Sequence, residues 1–447
     1  MRATMTVTLA VVAGAGFAAC NPSSFNSVLD KAPVVSFSTG GASTGAMFVL
    51  PLPTPAEAGT TSAARMLLTR KDSDYLAIAD FDMNGKVTVS PASEVERGNL
   101  GNNSVYSAAA RSNGTILLGT PRAGGGTQPG GQVSLLIPTP AAAGGYNLQF
   151  QPGFTGSNNS LTRVGISVAV GNLTGANSED FVVVGDHTLH LLGGSDVKNP
   201  IAAIDGTCPA VQLASAVDVL GFRPVAVGDV LTGGFEEIVL SGEGKVVLVR
   251  WNATTVLQCQ ALPVPTSSPY FGSSLAVGDF DGDGLADLAV GSPPDKVYVY
   301  SGPLDSVTAP SMEITNASTT LFGQRVSAYG FPKQLGAQLM VSDPGAAVGD
   351  RAGAGKVYLF NLVGLKVPGV TTQLTNANAA AVYFDSNGDA EPGKLGDNLG
   401  GLMFNSGLCS PGAAIALVPW ASNNTDTLTF FGGAGSAADP RCFTTTP

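Results

Sequence analysis

Over most of its length the chain alternates between short apolar runs and clusters of turn residues. The clearest stretch begins Phe271-Gly272-Ser273-Ser274-Leu275-Ala276-Val277-Gly278-Asp279, continues through DFDGDGLADLAVGSP, and ends Lys296-Val297-Tyr298-Val299-Tyr300. It reads as strand, acidic turn, strand, Gly/Pro turn, strand. The apolar runs are rich in β-branched and aromatic residues and are bounded by Gly, Pro, Asp and Ser, as strands of a sheet are.

The same grammar recurs in weaker form. Residues 164–192, 223–250 and 322–360 repeat it, the last opening on Phe322-Gly323 and closing on GAGKVYLF. Shorter echoes lie at 75–90, 116–136 and near 396–433. The pattern predicts about seven units of blade size, spaced unevenly by roughly 40 to 75 residues. One such unit cannot bury both of its faces alone. Closing several into a ring covers the faces and leaves only short edges. The segment Val34-Val35-Ser36-Phe37 is a candidate extra strand for the last unit.

Composition agrees with many short strands. Of 447 residues 44% are hydrophobic and 12% charged, enough for a sizeable core, and 58 Gly and 29 Pro serve tight turns. Asp and Glu total 33 against 22 Lys and Arg, with no basic cluster, which argues against a nucleic-acid partner.

The Phe-Gly start, the DxDGDGxxD turn and Gly291-Ser292-Pro293 resemble the FG-GAP repeat of integrin α-subunits. The resemblance is sharp over 271–301 and weaker elsewhere. It implies an all-β fold, a β-propeller of about seven four-stranded blades, with calcium loops stiffening one side and partners docking on the other.

The acidic turn places Asp279, Asp281, Asp283 and Asp287 at positions 1, 3, 5 and 9. Alternate residues of such a turn point inward, so their carboxylates converge and, uncompensated, repel one another. Calcium, a hard cation taking six to eight oxygens, resolves that conflict. By resemblance to the family loop, Leu285 adds a backbone carbonyl. A helical EF-hand would need Glu where Val290 stands, so the loop is expected to join two strands. Residues 223–250 keep only Asp229 and Glu237 of this set, and 164–192 keep Asn172, Thr174 and Asp180, so both are expected to be plain turns. Asp80-Phe81-Asp82-Met83-Asn84-Gly85 opens like a calcium loop, but Thr88 holds position 9, and a hairpin is the better reading. Asp385, Asn387 and Asp389 are a candidate second metal site, with equal grounds for a bare turn because Gly393 holds position 9.

The N-terminus carries Arg2, an apolar run from Met5 to Gly16, and Phe17-Ala18-Ala19-Cys20. The run is too short to span a bilayer. The sequence resembles a bacterial lipoprotein signal, which implies lipidation of Cys20 and, with Asn21 next, an outer-membrane lipoprotein of the cell envelope, facing either the periplasm or the medium. The expected organisation is a signal at 1–19, a tether at 20–32 and the propeller at 33–447. Cys208, Cys259, Cys409 and Cys442 form an even set, which in an oxidising envelope suggests disulfides. Sequence-local pairing, 208 with 259 and 409 with 442, is favoured over two other connectivities and over four free thiols.

Catalytic signatures are poor. His187 and His190, three apart on a predicted strand, would face opposite sides of the sheet and cannot chelate together. Gly349 to Lys356, GDRAGAGK, fails as a phosphate loop on spacing, on Val357, and because a strand is expected to follow. No pair of carboxylates stands out as a glycosidase would need. The sequence therefore suggests a monomeric, lipid-tethered module with Ca2+ as its cofactor and a protein or glycan as its partner, rather than an enzyme. A purely structural envelope component and a carbohydrate-active enzyme or lectin are the alternatives.

Overall fold

In the computed structural model the strands gather into seven sheets. The structure describes residues 105–123, 130–141, 145–156, 163–174, 179–185, 188–193, 197–200, 202–204, 225–242, 244–251, 257–265, 268–317, 320–330 and 336–383, together with the strands named below that fall outside these ranges. Cys20, Cys208, Cys409 and Cys442, and the Asp385, Asn387 and Asp389 cluster, lie outside the described residues.

Strand β1 (Val35–Phe37) belongs to the last sheet. The first sheet holds β2 (Met47–Leu52), β3 (Ser62–Arg70), β4 (Leu76–Asp82) and β5 (Val87–Pro91). The second holds β6 (Ser107–Ala110), β7 (Ile116–Thr120), β8 (Gln132–Pro140) and β9 (Tyr146–Thr155). The third holds β10 (Ser167–Gly171), β11 (Asp180–Val184), β12 (Leu189–Leu192) and β13 (Ala202–Ile204). The fourth holds β14 (Val225–Gly228), β15 (Glu237–Gly242), β16 (Lys245–Trp251) and β17 (Leu257–Ala261). The fifth opens with β18 (Ser274–Gly278), β19 (Asp287–Ser292), β20 (Lys296–Tyr300) and β21 (Met312–Thr315). The sixth has β22 (Val326–Gly330), β23 (Ala337–Asp343) and β24 (Lys356–Phe360); β25 (Thr372–Thr375) leaves it, and β26 (Ala381–Tyr383) completes it. The seventh has β27 (Gly400–Met403), β28 (Ala414–Ala421) and β29 (Asp426–Gly432).

The opening strands pack on one another in order: β2 on β6, β6 on β10, β10 on β14, β14 on β18, β18 on β22, β22 on β27, and β27 on β2. The succession returns to its start, and the fold is a β-propeller. The N-terminal strand expected at 34–37 pairs antiparallel with β29, Val35 opposite Leu428, so the two ends of the chain share one sheet. Asp80, Phe81 and Asp82 lie on β4, which pairs antiparallel with β5, Phe81 opposite Val87; Met83, Asn84 and Gly85 lie outside the described residues.

The core lies between neighbouring sheets. Val239 and Leu248 of the fourth sheet meet Val290, Tyr298 and Tyr300 of the fifth, with Phe271 wedged among them. Phe271 sits 5.8 Å from the Tyr298 ring, centroid to centroid. Phe322 fills the equivalent place in the following layer, 5.6 Å from Tyr358. Second strands are covered on both faces, which is why β11 and β19 are buried at every residue while the opening strand β18 is buried only in part.

The Gly-x-Pro element has a steric cause. A Cβ at Gly291 would fall 2.2 Å from the Gly323 carbonyl oxygen, and one at Gly119 would fall 2.2 Å from that of Gly165. In both cases the next sheet's entry glycine comes within backbone distance of the second strand. The opening strand adds a hydroxyl: Ser107 donates to the Gly165 carbonyl at 2.9 Å, and Ser274 donates to that of Gly323 at 3.3 Å. In the fourth sheet Ser241 stands where glycine stands elsewhere and itself donates to the Gly272 carbonyl.

One sheet departs from the four-stranded expectation. β25 crosses from the sixth sheet and pairs parallel with β21, Met312 opposite Thr372, giving the fifth sheet a fifth strand. An outer edge that would otherwise present unpaired backbone groups is thereby covered.

Gly291→Ala should destabilise the fold by about 1–3 kcal/mol, read as a lower urea midpoint, because its new methyl meets backbone that cannot rotate away. Gly278→Ala, whose Cβ would meet the Ala337 and Ala328 methyls at 3.1 and 3.2 Å and the Phe280 ring at 3.4 Å but no backbone, should cost less. Equal midpoints for both variants and wild type would show that the sheets do not approach this closely.

Candidate functional site

The acidic turn joins β18 to β19, strand to strand, as the spacing implies. Gly282 and Gly284 adopt φ of 81° and 87°, the left-handed region that lets the chain reverse within so few residues. Local hydrogen bonds set each carboxylate. Asp279 accepts from the Gly282 and Gly284 amides at 2.8 and 3.1 Å. Asp281 Oδ1 accepts from the Asp283 amide at 3.2 Å, and Asp283 Oδ1 accepts from the Leu285 amide at 2.9 Å.

Asp279, Asp281 and Asp283 each offer an oxygen, and the three oxygens lie within 4.8 Å of one another. Oxygens around one calcium at ~2.3–2.6 Å can be no more than about 5 Å apart, so this donor set has the size and hardness that calcium requires. Leu285 is half exposed at the turn's outer end.

Asp287 behaves differently. It is fully buried, its Oδ2 accepts from the Phe280 and Asp281 amides at 2.8 and 3.0 Å, and its Oδ1 accepts from the Gly302 amide at 2.9 Å. Burial pushes its pKa up to about 7; the Gly302 hydrogen bond opposes the rise and the Asp281 charge adds to it. In this pose Asp287 holds the turn closed from within and stands apart from the three converging carboxylates.

Other sheets show that this clamp is independent of the converging carboxylates. Asp180 Oδ2 accepts from the Leu173 and Thr174 amides at 3.2 and 2.9 Å, and Glu237 Oε2 accepts from those of Val230 and Leu231 at 3.0 Å each. Each sits at position 9 of a turn that has lost its ligands, and each is buried. Burial raises the Glu237 pKa against the opposing pull of Arg250, whose Nε lies 2.8 Å from Oε1. The residues expected to be relics of a metal loop are acceptors for turn amides.

The spacing alone also missed Lys366. Its ammonium reaches Asp281 Oδ2 at 2.9 Å and Asp283 Oδ2 at 3.1 Å from the segment between β24 and β25. Burial works to raise the Asp281 pKa, but hydrogen bonds from Lys366 and from Ser301 outweigh it and hold the carboxyl below its ordinary value. The Lys366 pKa is raised in turn, burial being outweighed by Asp281 and Asp283.

The remaining candidates take bland positions. His190 is buried on β12 with its ring 4.6 Å from that of Phe154. His187 lies outside the described residues. The GDRAGAGK stretch makes turns that lead into β24. Cys259, on β17, is disulfide-bonded.

Residues 271–302 match the FG-GAP repeat. They comprise β18, the acidic turn, β19, β20 and Gly302, whose amide completes the Asp287 clamp. No curated protein matches the chain. Among solved structures the chain is similar to BBS1N in complex with ARL6DN, from a crystal soaked with lead, at 12% identity over 89% of this chain and 96% of that one, with a TM-score of 0.49. The same complex soaked with mercury gives 11% identity over 86% and 98%, with a TM-score of 0.43.

Asp180→Ala and Glu237→Ala should each cost on the order of 3 kcal/mol, because two buried amides lose their acceptor, and the loss should be the same with calcium or chelator. A loss under ~0.5 kcal/mol in urea melts would show that water replaces the carboxylate at no cost.

Proposed function

We propose that the chain is a calcium-stapled binding module of the bacterial envelope, tethered by lipid at Cys20. The observation that supports it most is the FG-GAP turn of the fifth sheet, where three carboxylates converge on a span suited to one calcium. The FG-GAP propeller supports a protein-interaction module. The finer reading is that inter-strand loops, on the side away from the acidic turns, present a surface to a protein or glycan. The disulfide at Cys259 agrees with an oxidising compartment.

Asp279, Asp281 and Asp283 would hold the ion; the resemblance adds the Leu285 carbonyl and Asp287, whose oxygens in this pose accept from turn amides instead. Bound calcium supplies charge neutralisation, and its role is structural. The residues drawn together are acceptors and a cation rather than a nucleophile and base, which favours binding over catalysis.

Two measurements test this. In millimolar calcium the wild-type melting temperature should rise, and the Asp281→Ala, Asp283→Ala double variant should show no such rise; identical calcium responses would remove the structural metal. A pull-down from envelope extract, in calcium and in chelator, should recover a partner in calcium only. A blank in both conditions would shift the reading to a structural component or a glycan-directed protein.

A further inference from the structure

The turns between first and second strands are held from outside as well as from within. Glu179 of the third sheet accepts from the Ser112 amide of the second at 2.7 Å. Glu236 of the fourth sheet accepts from the Asn172 amide of the third, and Asp305, which follows β20, accepts from the Thr232 amide of the fourth at 2.7 Å. In each pair an acidic side chain of the following sheet caps the turn of the sheet before it. At the fifth sheet the sign is inverted: the turn itself is acidic, and the following sheet supplies Lys366.

We propose that Lys366 is a tethered rival of the calcium ion, holding the turn in order at low calcium and weakening calcium affinity; this rests on the calcium reading above. Its ammonium takes Asp281 Oδ2 and Asp283 Oδ2, while their Oδ1 atoms serve the turn's own amides. Calcium needs oxygens from the same carboxylates. Two cations against the same oxygens would stand a few ångströms apart and repel. One lysine also leaves the converging carboxylates of Asp279, Asp281 and Asp283 in charge excess, so calcium retains a reason to enter.

The lysine is delivered rather than free. Leu362 is buried, the Gly364 amide approaches the Asp281 carbonyl at 3.4 Å, and the Val363 methyls pack where a Gly282 side chain would stand. Beyond Lys366, the Thr371 hydroxyl donates to the Pro310 carbonyl at 2.8 Å and the Thr372 amide to the Ser311 carbonyl at 2.8 Å, where β25 begins. Pinned at both ends, the strap keeps the ammonium at a high effective concentration beside the turn. The lysine side chain is 34% exposed, so it can swing to solvent without unpacking the strap.

Calcium titration by calorimetry of the chelator-stripped protein tests this, comparing wild type with Lys366→Met and taking the Asp281→Ala, Asp283→Ala double variant as the blank for other sites. Lys366→Met should bind calcium at least tenfold tighter. Its melting temperature should fall below wild type in chelator and match it in saturating calcium. Wild-type binding with an equal or weaker affinity in Lys366→Met would overturn the rivalry and leave the calcium reading standing. No binding above the blank by either protein would overturn the calcium reading and the rivalry with it.

Discussion

The ring depends on backbone meeting backbone at the joint between neighbouring sheets. Where Gly291 faces the Gly323 carbonyl, and Gly119 that of Gly165, neither glycine has room for one more carbon. That contact sets how near the sheets approach, and so how fully Phe271 and Phe322 fill the layers beside it. Phe-Gly at the start of one unit and Gly-x-Pro in the unit before are two halves of one joint. The serine hydroxyls of the opening strands satisfy the carbonyls that the joint would otherwise bury bare.

The first turns solve a second problem, that of amides buried where a strand reverses. A carboxylate at position 9 accepts two of them in the third, fourth and fifth sheets, and the charge it brings must itself be answered. Arg250 answers Glu237. The fifth sheet has gathered more negative charge than one side chain can offset, and there the turn acquires the chemistry of a cation site. The acidic turn is thus a clamp with surplus carboxylates added, and its counterparts in the third and fourth sheets are clamps without them.

The fold was legible because it rests on local signals. Turn residues at regular places, double-sided burial of second strands and the Phe-Gly start all lie within single units, and even β1 was visible as a stray apolar run. The convergence of Asp279, Asp281 and Asp283 was legible for the same reason. The inner role of Asp287 was harder to see, since an acid at position 9 is equally a ligand or an amide acceptor. Its persistence as Asp180 and Glu237, where the other ligands are gone, was the available clue. Lys366 and β25 left no such trace. Their contacts join segments far apart in sequence, and no local pattern says that a strand will leave its own sheet for its neighbour's edge.

That departure makes the ring uneven. The fifth and sixth sheets share a crossing segment, so they cannot separate without stripping β25 from β21, and they should open as one cooperative block in hydrogen exchange. Among the described residues the ladder joining β1 to β29 has three residue pairs, Val35 to Phe37 against Leu428 to Asp426. A pull on the N-terminus meets that short ladder first. A propeller built this way would yield at its clasp under load, well before the block that carries the acidic turn.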